Sequence, residues 1–193
     1  MAEFVRPPQA VFLDRDGVVN REVDLLYDPA QLLLVPGSAA AIRRLNDAGI
    51  PAIVVTNQPV VARGLCTEDD IRRIHERMQR MLDEEGGAAV DAYYFCPYHE
   101  NADLPQYRQD SFDRKPHPGM ILQAARDHRL DTPRTALVGD RTVDLDAARR
   151  AGCGCAILVE TGFAGRDGKS AVVPDLTVPD LAAAVDWLLG NGK

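Results

Sequence analysis

Four consecutive apolar residues, Ala10-Val11-Phe12-Leu13, stop abruptly on Asp14-Arg15-Asp16-Gly17. A run of that length predicts a buried strand, and Gly17 supplies the turn that must follow it. Asp14 then falls at the strand's carboxyl end, the edge on which open α/β sheets place their ligands. Two plainer explanations compete. Asp and Gly close many strands by making turns. An Asp-x-Asp-Gly also opens calcium loops, but that pattern requires an oxygen ligand, a glycine and a glutamate where this chain has Val18, Val19 and Leu25. The calcium reading fails at all three positions, so the choice between a turn and chemistry rests on the other strand ends.

Those ends repeat the pattern. Residues 52–55 read as a second buried strand that stops on Thr56-Asn57-Gln58, and residues 135–138 as one that stops on Gly139-Asp140. Residues 90–96 and 156–159 read as two further strands. Helical periods fill the intervals. The first has Ser38 as its predicted N-cap, apolar positions Ala41, Ile42, Leu45 and Ala48, and Gly49 as its stop. The second begins at a capping box of Thr67 and Asp70, carries the stripe Ile71, Ile74, Met78, Met81 and Leu82, and ends at Gly86-Gly87. A third starts at Pro118 and would bury Ile121, Leu122 and Ala125. A fourth opens with Asp144, Leu145 and Ala148 and closes at Gly152, and a last runs from about residue 180 to 189. Strands alternating with helices predict a doubly wound α/β sandwich of three layers around a mainly parallel sheet of five to six strands.

At 193 residues, with 46% hydrophobic and 26% charged, the chain is the size of one domain with a sizeable core, so residues 1–193 are read as a single unit. A net charge of -7 argues against affinity for a nucleic-acid backbone. Residues 1–9 form a leader with no apolar core, and no run approaches the ~20 apolar residues of a membrane span, so a cytoplasmic location and no membrane partner are expected. Cys66, Cys96, Cys153 and Cys155 lack the density of a disulfide scaffold, and Cys153-x-Cys155 is too close for a CxxC redox pair, so packing thiols are expected. Two irregular stretches remain. Residues 21–36, with turn signals at Tyr27-Asp28-Pro29 and Pro36-Gly37, lie over the presumed site as a flap. Residues 96–115 are too long and polar for a routine connection and end on Arg114-Lys115-Pro116.

Asp14 and Asp16, Thr56 and Asn57, Lys115 and Asp140 therefore converge on one edge from four connections. Carboxylates alone would repel an anion. A Mg²⁺ between Asp14 and Asp140 removes that objection, because this hard cation takes oxygen ligands and bridges to phosphate, while Lys115 supplies a second positive charge. The set suits phosphoryl transfer, in which the protein's work is positioning and electrostatic stabilisation.

Asp14-Arg15-Asp16-Gly17, Thr56-Asn57-Gln58, Arg114-Lys115-Pro116 and Gly139-Asp140 resemble, in order and separation, the four motifs of the haloacid dehalogenase (HAD) superfamily. More narrowly, FLDRDGVVN, VVTNQPVVARG, DRKPHPGM and VGDRTVDLDAARRAG resemble the D-glycero-D-manno-heptose-1,7-bisphosphate 7-phosphatases, a group related to histidinol-phosphate phosphatases. The likeness runs from about residue 10 to 162. It implies a HAD-like fold with a minimal cap made of loops, in a monomer acting on a phosphorylated sugar. Asp14 would be the nucleophile that forms an aspartyl phosphate, and Asp16 the acid and then the base, its pKa raised by neighbouring charge so that it holds a proton. Thr56 and Lys115 would hold the phosphoryl group. Asp14, the Asp16 carbonyl and Asp140 would ligate Mg²⁺. Arg114 aligns with a substrate-recognition position, and Asn57, Gln58, Arg63 and Arg141 are further candidates for sugar or phosphate contact.

Many members of that group hold a structural zinc in the long loop through Cys-x-His and Cys-x-Cys pairs. Only Cys96 stands in place here: His99 is one residue late, and Ser111 and Asp113 replace thiolates. Structural zinc is normally closed by four Cys or His ligands, so no zinc is expected, and a site from Cys96, His99 and Asp113 is the alternative the loop offers. A histidinol-phosphate phosphatase shares the same core motifs. A phospho-accepting signalling receiver also combines aspartates, Thr, Lys and Mg²⁺, but its acceptor lies mid-chain without a second Asp two residues on, so Asp16 favours turnover. A binding module without catalysis is disfavoured by the intact set.

Overall fold

Val11 and Leu13 point to one face of a sheet and Phe12 to the other, and all three are fully buried, so the opening run is a strand covered on both sides. The computed structural model describes residues 4–190. Its sheet has six parallel strands: β1 (Ala10–Leu13), β2 (Ala52–Asn57), β3 (Ala92–Cys96), β4 (Thr135–Gly139), β5 (Cys155–Val159) and β6 (Leu176–Val178). Their order is β3-β2-β1-β4-β5-β6. The chain winds outward from β1 in one direction and then, starting at β4, in the other. This reversal opens a crevice at the carboxyl ends of β1 and β4, where Leu13 is in register with Val138.

Six helices complete the sandwich: α1 (Ser38–Asp47), the single turn α2 (Pro59–Ala62), α3 (Glu68–Gly86), α4 (Gly119–Asp127), α5 (Thr142–Ala151) and α6 (Leu181–Leu188). Ile42 and Leu45 of α1, Ile71, Ile74, Met78 and Leu82 of α3, and Leu181 and Val185 of α6 share one core with Val11 and Leu13. Met120 and Ile121 of α4 and Leu145 and Ala148 of α5 pack with Phe12, Val55 and Leu137 on the opposite face. Among the described residues no helix is long and apolar enough to cross a membrane.

The differences from expectation are local. Gly37, with φ 84°, is the residue that caps α1; Ser38 is its first turn, and the Ser38 hydroxyl donates to the Val19 carbonyl at 3.0 Å. Ala48 is exposed just beyond the helix, and Ile50 takes the core place the period gave it. Pro118 is an N-cap rather than a first helical residue. β6 was not anticipated: three half-buried or exposed residues at a sheet edge give neither an apolar run nor a measurable alternation. β2 runs two polar residues past its apolar stretch, because Thr56 and Asn57 remain paired with Phe95 and Cys96.

The two irregular stretches are pinned. In residues 21–36, Asn20 bridges Leu34, the Arg21 amide donates to the Leu33 carbonyl at 2.8 Å, and Leu26, Leu32 and Leu34 are buried. In residues 96–115, the Leu104 amide donates to the Ala62 carbonyl and the Tyr107 hydroxyl to Glu68, each at 3.1 Å. Residues 1–3 of the leader lie outside the described residues. The remainder docks on α6, with Phe4 stacked on Trp187 at 6.1 Å and the Arg6 guanidinium 4.6 Å from the same ring.

The capping box at Thr67 forms as expected. Its hydroxyl accepts the Asp70 amide at 3.2 Å, and the Asp70 carboxylate accepts the Thr67 amide at 2.8 Å. Thr67→Ala is expected to lower the unfolding free energy by about 1 kcal/mol, read as a shift in the urea midpoint at constant m-value.

Candidate active site

The carboxyl ends of β1, β2 and β4 and the turn at Lys115 enclose a cavity of about 570 Å³, a size suited to a small ligand. Asp14 sits at its floor, almost wholly buried. One of its oxygens, Oδ1, accepts the Arg15 amide at 2.7 Å and lies 2.9 Å from Lys115 Nζ. Lys115 Nζ also pairs with Asp144 Oδ1 at 2.7 Å and donates to the Val55 carbonyl at 2.8 Å, so all three of its donors are engaged. Asn57 fixes the lysine's backbone from both sides: its amide nitrogen donates to the Lys115 carbonyl and its oxygen accepts the Lys115 amide, each at 3.0 Å.

Asp140 is fully buried across the crevice. Its Oδ2 accepts the Phe163 amide at 2.7 Å, and its backbone carbonyl accepts the Gly165 amide at 2.7 Å. Its Oδ1 has no hydrogen-bond partner among the described residues. A buried carboxylate oxygen left unpaired is costly and is the donor a hard divalent cation takes. Asp14, Asp140 and Asp144 each offer an oxygen within 4.8 Å of the others, so the residues fit such an ion. Cys96, His99 and Asp113 do not form a comparable group among the described residues, and His99 Nδ1 already accepts the Asn101 amide at 3.0 Å.

Electrostatics separates the two aspartates of the opening motif. Burial, then the neighbouring charges of Asp144 and Asp16, push Asp14 up to about 7 against the opposing pull of Lys115. Burial, Asp14 and Asp144 likewise push Asp140 up to about 8. Lys115 is held above its ordinary range because Asp14 and Asp144 outweigh its burial. Asp16 goes the other way. Burial would raise it, but the Arg15 guanidinium and the amides of Asn20 and Gln58 outweigh burial and hold its carboxyl below the usual range. The expectation that neighbouring charge keeps a proton on Asp16 is therefore corrected: donors, not acids, surround its carboxylate.

The remaining candidates divide in the same way. Thr56 and Gln58 are buried, and Gln58 Nε2 donates to Thr56 Oγ1 and to Asp16 Oδ2, each at 2.9 Å. The amides of Asn57 and Gln58 are thus committed to the protein. Arg63, Arg114 and Arg141 stand on the cavity rim with His99 and Lys169. Arg114 donates to the Tyr98 carbonyl at 3.1 Å. Arg141 pairs with Glu22 of the flap at 3.0 Å and lies 3.7 Å over the Phe163 ring. Asp144 and Arg15 were not anticipated. Asp144 reads as an ordinary acid in a helix's first turn, and it does accept the Arg141 amide at 3.0 Å; its spacing of four from Asp140 was the signal that the two share a site. Arg15 gave no signal, since an arginine after a strand is expected in solvent.

A family model described as HAD-hydrolase-like matches residues 112–184. The D-glycero-D-manno-heptose-1,7-bisphosphate 7-phosphatase of Thermosynechococcus vestitus is 45% identical over 189 residues, covering 94% of this chain and 96% of its own. The β-anomer 7-phosphatase of Yersinia pestis is 36% identical over 182 residues, covering 94% and 90%. The crystal structure of the D,D-heptose 1,7-bisphosphate phosphatase of B. bronchiseptica, complexed with magnesium and phosphate, superposes with a TM-score of 0.84 at 35% identity, covering 95% of this chain and 99% of that one. The fold and the acid-lysine site define a HAD-type phosphatase, a phosphoric monoester hydrolase. Within that superfamily the chain belongs to the family of the heptose-bisphosphate 7-phosphatases.

Both raised carboxyls bind their protons more tightly folded than unfolded. In cation-free protein, stability is therefore expected to fall as pH rises from about 4 to about 8 and to level off above that. Saturating Mg²⁺ should flatten this slope in Tm, since the cation replaces the protons; an unchanged slope would contradict the cation site. A side chain at Gly162, whose φ is 65°, would overlap the Asp140 carboxylate. Gly162→Ala is expected to weaken Mg²⁺ binding about 10- to 100-fold by calorimetry.

Proposed function

We propose that this enzyme removes the 7-phosphate of D-glycero-D-manno-heptose 1,7-bisphosphate through an aspartyl phosphate on Asp14, with Mg²⁺ as its cofactor. The observation that carries the reading is the placement of Asp14: a buried carboxylate with one oxygen tied down by Lys115 and a backbone amide, on the floor of a cavity rimmed by cations. Geometry of this kind leaves the second oxygen to act as nucleophile. The relatives named for the heptose bisphosphate support the substrate.

In the first half-reaction Asp14 bonds to phosphorus as the bond from phosphorus to the sugar oxygen breaks, and Asp16 gives its proton to that oxygen. In the second, water attacks the phosphorus of the aspartyl phosphate, Asp16 takes the water's proton, and phosphate leaves Asp14 free. As it stands Asp16 is in the ionised state the second half requires. The negative charge of an arriving phosphate acts against the Arg15 pairing and raises the proton affinity of Asp16 for the first half. Lys115 and Thr56 would hold the transferring group, with Asn57 keeping the lysine in place. Asp14, Asp140 and the Asp16 carbonyl would hold the Mg²⁺, with Asp144 completing the acidic group. Bound there, the cation would neutralise charge on the phosphoryl oxygens.

The rim favours a substrate with a second anionic group. Among the described residues Arg63, Arg114 and Lys169 form no ion pair, so their charge is available to a distal phosphate. Initial rates with Mg²⁺ on both anomers of the bisphosphate, on histidinol phosphate and on simple sugar phosphates are expected to favour the bisphosphate. Comparable slow rates on all of them would overturn the substrate. Asp14→Asn should abolish turnover, and Arg114→Ala should raise KM for the bisphosphate about tenfold or more while changing a monophosphate little.

A further inference from the structure

Arg15 is the residue of the opening motif to which the chemistry above gives no task, and it is among the largest fully buried side chains of the protein. Burying a guanidinium costs several kcal/mol unless its charge and donors are met. They are met almost entirely by one carboxylate. Nη2 lies 2.9 Å from each oxygen of Asp16, and Nε lies 3.2 Å from Oδ1. Behind this fork the guanidinium is itself held. Nη2 donates to Gln58 Oε1 at 3.0 Å, and Nη1 is 3.4 Å from His75 Nε2. His75 belongs to α3 and is stacked on Tyr93 of β3 at 4.6 Å. Burial and the charge of Arg15 push His75 down to about 3, so the ring is neutral and Nε2 has a lone pair to offer.

The bracing extends to the far side of the carboxylate. Gln58 Nε2 donates to Asp16 Oδ2 at 2.9 Å, and Asn20 Nδ2 donates to Asp16 Oδ1 at 2.8 Å. Asp16 is thereby fixed from β1, from the end of β2 and, through His75, from α3, while about a fifth of its side chain stays open toward the cavity it lines. A carboxylate needed only to balance Arg15 has no use for that opening. We propose that Arg15, braced by His75 and Gln58, is a positioning residue that aims the Asp16 carboxylate at the oxygen that must gain or lose a proton. It touches neither substrate nor reacting atoms. The inference rests on Asp16 being the acid and base of the reaction, and its test is built to separate the two claims.

The readout is the ratio of kcat/KM for a sugar phosphate to kcat/KM for p-nitrophenyl phosphate, measured with Mg²⁺ on the full chain. This parameter covers steps only as far as phosphoryl transfer to Asp14. A sugar oxygen needs a proton to leave, whereas p-nitrophenolate leaves without one, so lost proton delivery lowers the first and spares the second. Asp16→Asn is the reference and should reduce the ratio about 100-fold or more. Arg15→Met and Gln58→Leu are expected to reduce it about tenfold, with Arg15→Lys between Arg15→Met and the parent, because one ammonium reaches one oxygen where the fork reaches both. Gln58→Leu also frees Thr56, but a loosened phosphate contact affects both substrates and cancels in the ratio. Gln58 also touches Asp16 directly, so if Arg15→Met does not fold, Arg15→Lys, which keeps the buried charge and loses the fork, decides. Equal losses on both substrates, or none, would make Arg15 a structural counter-ion and overturn the proposal while leaving Asp16 in its role. A ratio unmoved in Asp16→Asn would remove the acid-base reading and this inference with it.

Discussion

Three buried carboxylates, Asp14, Asp140 and Asp144, meet around one ammonium, that of Lys115. Ionised together they would leave two uncompensated negative charges in a site nearly closed to water, the charge of one divalent cation. Without a cation, protons must do the work, which is why Asp14 and Asp140 hold theirs far above the ordinary carboxylate range. Much of the fold bears on this one balance. The reversal of strand order brings β1 and β4 side by side, and the cis-facing ends of these strands set Asp14 against Asp140. Lys115 arrives from a different connection, and Asn57 at the end of β2 holds its backbone.

Two aspartates one residue apart meet opposite environments. Asp14 sits among acids and is pushed up; Asp16 sits among donors and is held down. In the cation-free site this order is the reverse of the one that an attacking Asp14 and a proton-donating Asp16 need; a cation at the acidic group, lowering Asp14, and a phosphate beside Asp16, raising it, would restore that order. The end of the strand accounts for the separation: β1 stops at Leu13, Asp14 faces the crevice just beyond it, and the bend at Arg15 buries that side chain and pairs Asp16 with it. The fully buried Arg15 is thus a consequence of the same backbone that presents Asp14 to the cavity.

How far the sequence could be read follows from these causes. Apolar runs and helix stops mark five of the six strands and the ends of α3 and α5, because burial on both faces leaves unbroken apolar residues in β1, β2, β4 and β5, because the half-buried β3 is rich in aromatics, and because Gly87 and Gly152 adopt φ values of 59° and 77°. β6 escaped because an exposed three-residue edge strand carries no such pattern. Ser38 was misread because its hydroxyl serves the Val19 carbonyl rather than the helix it opens. At the site, residue types at strand ends pointed to Asp14, Thr56 and Asp140, and the Arg114-Lys115-Pro116 run before a helix pointed to Lys115; the fold brings these four to one cavity edge. Asp144 was hidden because an acid in the first turn of a helix already has a local explanation. The state of Asp16 could not be read at all, since it depends on an arginine whose burial is decided by α3 and β3.

The division between floor and rim has a physical basis of its own. On the floor Asp14, Lys115 and Asp144 are bonded to one another and Asp140 is held by the Phe163 amide, so small displacements are resisted from several directions. Rim residues come from the loop after α2 (Arg63), from residues 96–115 (His99, Arg114), from the turn before α5 (Arg141) and from Lys169, and their anchors are few: Arg114 on the Tyr98 carbonyl, Arg141 on Glu22 and the Phe163 ring. Phe163 connects the two levels, because its backbone amide holds Asp140 Oδ2 while its ring carries Arg141. A change at the rim leaves the bonds among Asp14, Lys115 and Asp144 intact. A change in the loop at 161–163, by contrast, reaches Asp140 directly, since Gly17 and Gly162 leave no room between their backbones and its carboxylate.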